Sequence, residues 1–281
     1  MSPVLYEKDG RIARITLNRP ERMNAIDDDM PPAIEEAVKH ADSDKDIHVM
    51  VLAGAGKAFC SGYDLAHYAE GNSTNKVVQE MPWDPIEDYQ FMWRNTQHFM
   101  SLWRALKPVI CKVHGYAVAG GSDIAFCADM TIMADDAEIG YMPTRVWGTP
   151  TTAMWVQRLG PEKAKRMLFT GDRITGKQAE EMGLILQSVP ADQLDEAVDK
   201  LASRMASVPI NQLAMQKMVV NQAMEATGMM QMQRMSTLFD GISRHSPEGL
   251  AFKARVEAVG WKQAVEERDS GSFDWTANRP F

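Results

Sequence analysis

Residues 107–129, KPVICKVHGYAVAGGSDIAFCAD, constrain this chain more than any other stretch. They predict a short apolar strand over 108–113, a tight turn through Gly115, and a helix opened by Ala119-Gly120-Gly121. Bare glycine backbone at a helix start leaves N–H groups without intrahelical partners, at the positive end of the helix dipole. Such a site holds an anion, or an oxygen that becomes one during a reaction. Asp123 falls in the first turn of the same helix, and helix geometry keeps it near that opening. The stretch therefore reads as an oxyanion-type site with one carboxylate beside it.

The remainder of the chain supplies a frame for it. Residues 4–18 form a hairpin, because Asp9-Gly10 is a turn signal and Ala13, Ile15 and Leu17 alternate with Arg14 and Thr16. Pro31 and Pro32 suit the first turn of a helix from about Met30, with Ile34, Val38 and Ala41 as its apolar stripe. A buried strand over 47–52 runs into residues 54–64, GAGKAFCSGYD, whose small residues let backbone approach a ligand closely. Gly71-Asn72-Ser73, Pro82 and Pro85 predict a mobile segment, followed by a helix over 87–106. A strand over 130–134 precedes Glu138-Ile139-Gly140, and helices over 149–159 and 161–170 are broken at Gly160-Pro161. A helix over 178–182, a strand over 184–189 and nearly continuous helix from about Asp192 complete the chain. That order predicts an α/β core over residues 1–205 and a helical region over 206–281.

The net charge of −8 argues against a nucleic-acid surface, which needs a basic stripe. The start, MSPVLYEKDG, has no signal-peptide pattern, and no apolar run is long enough to cross a membrane, so a cytoplasmic protein is expected. Cys60, Cys111 and Cys127 lack metal-ligand spacing; Cys111 and Cys127 read as buried thiols in a reducing compartment. Met215, Met218, Met224 and the methionines from Met229 to Met235 read as a gap-filling core or a subunit interface. No His, Cys and acid cluster has metal-ligand spacing, and no Gly-x-Ser-x-Gly elbow is present.

Three segments resemble the crotonase (enoyl-CoA hydratase/isomerase) superfamily: Asn18-Arg19-Pro20 through Asn24-Ala25, residues 57–64, and the stretch with Gly115, Ala119-Gly120-Gly121 and Asp129. Gly171-Asp172-Arg173-Ile174 with Ala179 and Gly183-Leu184 resembles the family's later signature. Several motifs in order carry far more weight than one glycine motif alone. The resemblance implies a repeated ββα core, a C-terminal helical trimerisation region, fatty acid metabolism, and a homotrimer or dimer of trimers. It also implies an acyl-CoA thioester as substrate, with coenzyme A as part of that substrate and no further cofactor.

Carried onto these positions, the family's oxyanion hole falls on the backbone N–H groups of Tyr63 and Gly120, which would hold the thioester oxygen as it gains charge. Arg22, Met23 and Ala58 match positions along the CoA adenine and pantetheine path. Ser61, Asp64, Leu65, Gly121, Thr144 and Trp147 are expected to line the substrate, and Asp64 also reads as a loop-fixing acceptor. Family hydratases use two glutamates to hold and activate a water. The first position is Asp123 here, shorter by roughly 1.5 Å of reach. The second falls on Thr144, which cannot serve as a carboxylate base. Dienoyl-CoA isomerases of the family would need acids at Thr144 and Thr152. His67, Glu138 and Arg145 remain further polar candidates, and His114 reads as satisfying backbone. The expected activity is therefore of broad enoyl-CoA hydratase/isomerase type with Asp123 as acid/base and without the glutamate pair. Alternatives are retro-Claisen C–C or thioester hydrolysis, a cyclic diketone substrate in place of a CoA thioester, or a catalytically silent acyl-CoA-binding subunit.

Overall fold

Period-two alternation at the amino terminus gives an antiparallel hairpin, and the uninterrupted apolar runs that follow give parallel strands buried on both faces. The computed structural model describes residues 2–68 and 79–275. In chain order the elements begin with β1 (Val4–Asp9), β2 (Ile12–Leu17), α1 (Met30–Ser43), β3 (Val49–Gly54), α2 (Leu65–Tyr68) and α3 (Pro85–Arg104). The middle comprises β4 (Val109–Val113), β5 (Tyr116–Val118), α4 (Gly120–Cys127), β6 (Met130–Ala134), β7 (Glu138–Gly140) and α5 (Met154–Thr170). Then come β8 (Arg173–Thr175), α6 (Gly176–Met182), β9 (Gln187–Val189) and α7 (Leu194–Ala206). Helices α8 (Ile210–Glu225), α9 (Met229–His245), α10 (Pro247–Val259) and α11 (Trp261–Ser270) close the chain.

One sheet has the order β1-β2-β3-β4-β6-β9, antiparallel only in the first hairpin. A second, short sheet has the order β5-β7-β8. Helix α1 buries Ile34, Val38 and Ala41 as its stripe requires. Asp84 caps α3 by accepting from the Ile86 and Glu87 N–H groups. Helix α9 lies against α3, and Lys217 of α8 reaches Asp129 at 2.8 Å, so the helical tail is anchored on the core.

Several boundaries differ from the sequence reading. Strand β3 starts two residues later than expected. The helix expected from 149 begins at Met154, because residues 149–153 form turns ending in Ala153 with φ 57°. The break at Gly160 is present, with φ 70° and ψ 173°. Strand β9 covers only Gln187–Val189 of the expected 184–189. Strands β5 and β8 add to the expected elements: each has three residues, too few for periodicity to register. The Gly71-Asn72-Ser73 segment lies outside the described residues.

Candidate active site

Two corners of backbone meet where the sheets adjoin. The first runs from the end of β3 through residues 57–63 and zips onto β5, with Cys60 N–H donating to the Tyr116 carbonyl at 2.8 Å and Val118 N–H donating to the Cys60 carbonyl at 3.1 Å. That pairing demands glycine at two places. A Cβ on Gly115 would lie 2.1 Å from the Lys57 carbonyl oxygen, and one on Gly121 would lie 2.3 Å from the Cys60 carbonyl oxygen. Neither leaves room for a side chain.

The second corner is the β5–α4 junction. Ala119 caps α4 with φ 52° and ψ −127°, a left-handed-side conformation that costs an alanine about 1–3 kcal/mol. It is held there because Ala119 N–H donates to the Gly140 carbonyl of β7 at 2.9 Å, while its own carbonyl accepts from Ser122 N–H at 3.0 Å. Opposite it, Gly62 has φ 90°, and a Cβ there would sit 2.8 Å from Ala119 Cβ and 3.4 Å from Gly120 N. The Tyr63 ring covers Gly120 from the other side. Ile26 pairs with this strand: its N–H donates to the Gly62 carbonyl and its carbonyl accepts from Asp64 N–H. The intervening Tyr63 N–H therefore leaves on the opposite edge. Among the described residues, neither Tyr63 N–H nor Gly120 N–H donates to a protein acceptor. The two amides predicted from sequence thus belong to residues in direct contact.

Asp123 stands one turn into α4 and is 4% exposed. The Thr152 hydroxyl donates to its Oδ1 at 2.6 Å. Burial pushes the Asp123 pKa up to about 7; the Thr152 hydrogen bond opposes that rise and the nearby Asp240 charge adds to it. Asp123 is therefore poised to exchange a proton near neutrality. Asp240 itself is fully engaged, accepting Thr149 N–H at 3.0 Å on Oδ1 and Arg244 at 2.9 Å on Oδ2. Arg244 also pairs with Asp88 of α3 at 2.8 Å. Asn95 of α3 donates to the Tyr63 hydroxyl at 3.4 Å. Among the described residues no group of three or more His, Cys, Asp or Glu side chains is arranged to hold a metal ion.

Arg22, Met23, Ala58 and Ser61 come together at one rim. Ser61 N–H donates to the Met23 carbonyl at 3.1 Å, and the buried Asn24 amide donates to the Ala55 and Ala58 carbonyls at 2.8 Å. Asp64 accepts from Arg19 at 3.1 Å and from His67 N–H at 3.2 Å, which fixes the loop after Tyr63. Leu65 and Trp147 pack into an apolar cluster with Val146, Phe252 and Val256, and the Trp147 indole donates to the Gly249 carbonyl at 2.9 Å.

Three expected residues are not brought to Asp123. The Thr144 hydroxyl donates to the Leu168 carbonyl, and Arg145 binds the Thr170 and Asp269 carbonyls. Glu138 pairs with Arg173 at 2.9 Å. Arg145 and Glu138 line a separate cleft of about 380 Å³ with Arg166 and Asp172. His67 Nε2 lies 3.0 Å from Asp28, and His114 Nε2 lies 2.9 Å from the Gly56 carbonyl. Sequence reasoning missed Thr152 as the Asp123 donor, and missed Asn95 and the Asp88–Arg244–Asp240 cluster. Only the four-residue spacing of Asp240 and Arg244 on one helix face offered a signal.

A sequence profile described as Enoyl-CoA hydratase/isomerase matches residues 7–263. A probable mitochondrial enoyl-CoA hydratase from Dictyostelium discoideum is 32% identical over 224 residues, covering 79% of this chain and 76% of that protein. A crotonyl-CoA hydratase from Syntrophomonas wolfei is 29% identical, covering 79% of this chain and 82% of its own. The crystal structure of an enoyl-CoA hydratase from Mycobacterium smegmatis superposes with a TM-score of 0.89 at 45% identity, covering 96% of this chain and 94% of that one.

Proposed function

The chain belongs to the enoyl-CoA hydratase/isomerase family of the crotonase superfamily, and from that premise we propose that it moves the α-proton of an acyl-CoA thioester through an enolate. The observation that carries this reading is the contact between the Gly62-Tyr63 and Ala119-Gly120 corners with Asp123 one turn away. The Tyr63 and Gly120 N–H groups take the thioester oxygen, and each such donor contributes about 3–4 kcal/mol to lowering the barrier. Asp123, ionised, accepts the α-proton as the electron pair passes to that oxygen. The same carboxylic acid then returns the proton to carbon. The rim of Arg22, Met23, Ala58 and Ser61 gives the CoA moiety its path.

One carboxylate is enough for isomerisation, in which the proton leaves the α-carbon and returns to the γ-carbon. Asp240, the buried acid whose charge acts on Asp123, is spent on Arg244 and Thr149, which supports one-carboxylate chemistry. Hydration is the second reading, favoured by relatives described as hydratases. Incubating the protein with 2-enoyl-, 3-enoyl-, dienoyl- and 3-oxoacyl-CoA, with products identified by chromatography and mass spectrometry, separates these. Conversion that Asp123→Asn abolishes is the expected result; full turnover in that variant overturns the reading.

The exposed apolar residues of α8 and α9, among them Met218, Val219, Leu238 and Phe239, support a homotrimer or dimer of trimers, testable by sedimentation velocity. Among the described residues no helix is long and apolar enough to cross a membrane. A cytoplasmic location is our reading, to be checked by fractionation.

A further inference from the structure

His245, the last residue of α9, is buried, and both of its ring nitrogens are engaged. Nδ1 lies 2.8 Å from the Gly241 carbonyl one turn back, and Nε2 lies 3.0 Å from the Gln79 backbone nitrogen. These partners fix the tautomer. A carbonyl only accepts, so Nδ1 carries the hydrogen; a backbone N–H only donates, so Nε2 is bare. The neutral imidazole satisfies both contacts. The doubly protonated ring cannot, because its Nε2–H would point at another N–H.

What the bare nitrogen holds is the approach to α3. Trp83 stacks on the same ring, with centroids 4.5 Å apart and planes 9° from parallel. The Gln79 side chain accepts Asp84 N–H at 2.7 Å and donates to the Asp84 carbonyl at 3.2 Å, which closes residues 79–84 into one loop. Asp84 in turn caps α3, and one turn further on Asp88 pairs with Arg244, the chain neighbour of His245. The loop is thus seated on the end of α9 through one imidazole. It leads directly into the helix whose Asn95 reaches the Tyr63 hydroxyl.

The charges around the ring come from three helices. Asp88 of α3 and the Gly241 hydrogen bond favour the charged form, whereas Arg244 of α9 and Lys253 of α10 oppose it. Burial is the largest influence and holds the imidazole below its ordinary range. Within the loop, Glu80 pairs with Lys253 at 2.8 Å and the Asp84 carboxylate is spent on the α3 cap. The ring is therefore neutral around pH 7 and takes its second proton in mildly acid solution.

We propose that His245 is a pH-operated clasp: neutral, it seats residues 79–84 on α9; protonated at Nε2 by solvent, it releases them and loosens the start of α3. The inference is independent of which substrate the site accepts.

The test is hydrogen–deuterium exchange of the full-length protein at about pH 7.5 and about pH 5, corrected for the intrinsic pH dependence of exchange. Mass spectrometry follows peptides covering residues 79–88 and strand β4. In wild type, protection of the 79–84 amides is expected to fall about tenfold at the acid pH, while β4 keeps its protection. His245→Phe keeps an aromatic face for Trp83 but offers Gln79 no acceptor. Its 79–84 amides are expected to be weakly protected, and equally so at both pH values. Constant protection in wild type overturns the proposal whether or not the variant folds. A wild-type loss shared by β4 overturns it too, because the event is then global unfolding. So does an equal loss in His245→Phe, which assigns the titration to another group.

Discussion

The Thr152 hydroxyl and Asp123 Oδ1 lie 2.6 Å apart, and this hydrogen bond opposes the burial that would otherwise push the carboxyl higher still. The two residues come from different sides of the site: Asp123 from the first turn of α4, Thr152 from the loop before α5. A threonine donor at this distance stabilises the ionised carboxylate, which is the form that accepts a proton from carbon.

Thr152→Val removes that donor at nearly constant volume. Loss of a hydrogen bond to the charged form raises the Asp123 pKa from about 7. The acid limb of the kcat/KM profile, where activity rises as Asp123 ionises, is expected to move to higher pH by about one unit. At pH 6 the variant loses about tenfold, and at pH 9 it approaches wild type. A limb that stays in place shows that Asp123 ionisation does not govern turnover.

Asp123 also ties stability to pH. Its pKa is 3.8 when unperturbed and about 7 in the fold. Between those values the folded protein holds a proton on Asp123 that the unfolded chain has released, so the contribution of Asp123 to stability is greatest below about pH 4 and falls as pH rises toward 7. Asp123→Asn keeps an acceptor for Thr152 and removes the ionisation. Urea denaturation is expected to find the Asp123→Asn variant more stable than wild type at pH 8 by about 2–4 kcal/mol and nearly equal to it at pH 4. Equal stability at pH 8 refutes the assigned burial of the charge.

Much of this frame was legible in the sequence because it follows from local pattern. Asp9-Gly10 set the hairpin, Ile34, Val38 and Ala41 set the buried face of α1, and Ala119-Gly120-Gly121 announced the helix start. What escaped depends on tertiary partners. Strand β5 is three residues long and exists because Cys60 and Gly140 pair with its ends. A positive φ would be assigned to a glycine, yet Ala119 adopts one under the hold of β7. Residues 141–148 stand out in the sequence only for the carboxylate they lack. Asp240 and Asp123 approach through helix packing that no local spacing encodes.

Gly121 separates steric need from conformational need, since it lacks a positive φ yet its missing Cβ faces the Cys60 carbonyl at 2.3 Å. Gly121→Ala must pry the 57–63 loop from α4 and is expected to cost about 3 kcal/mol with loss of turnover. Gly228, with φ 86° and only the Gln231 side chain within ordinary contact at 3.6 Å of where a Cβ would be, is the control. Gly228→Asn keeps the left-handed cap and is expected to change stability by no more than about 1 kcal/mol. Thermal unfolding of both variants checks the contrast; a Gly121→Ala protein as stable and active as wild type excludes the close packing of the two corners.

The Asp88–Arg244–Asp240 cluster joins α3 to α9 and, through Thr149, to the loop that ends at Thr152. All three side chains are nearly sealed from solvent, and Gly241 makes room for Asp88, whose Oδ2 lies 2.1 Å from where a Cβ would be. Arg244→Met leaves two buried carboxylates facing each other without a cation, at an expected cost of about 3–5 kcal/mol. Neutralising both acids in the same protein, as Asp88→Asn/Arg244→Met/Asp240→Asn, removes the uncompensated charge and is expected to recover at least half of that loss. The triple variant still loses activity relative to wild type, because the grip on Thr149 that positions Thr152 is weakened. Denaturant unfolding and turnover measured side by side decide the matter. If Arg244→Met alone is harmless, the cluster does not hold the helical tail to the site.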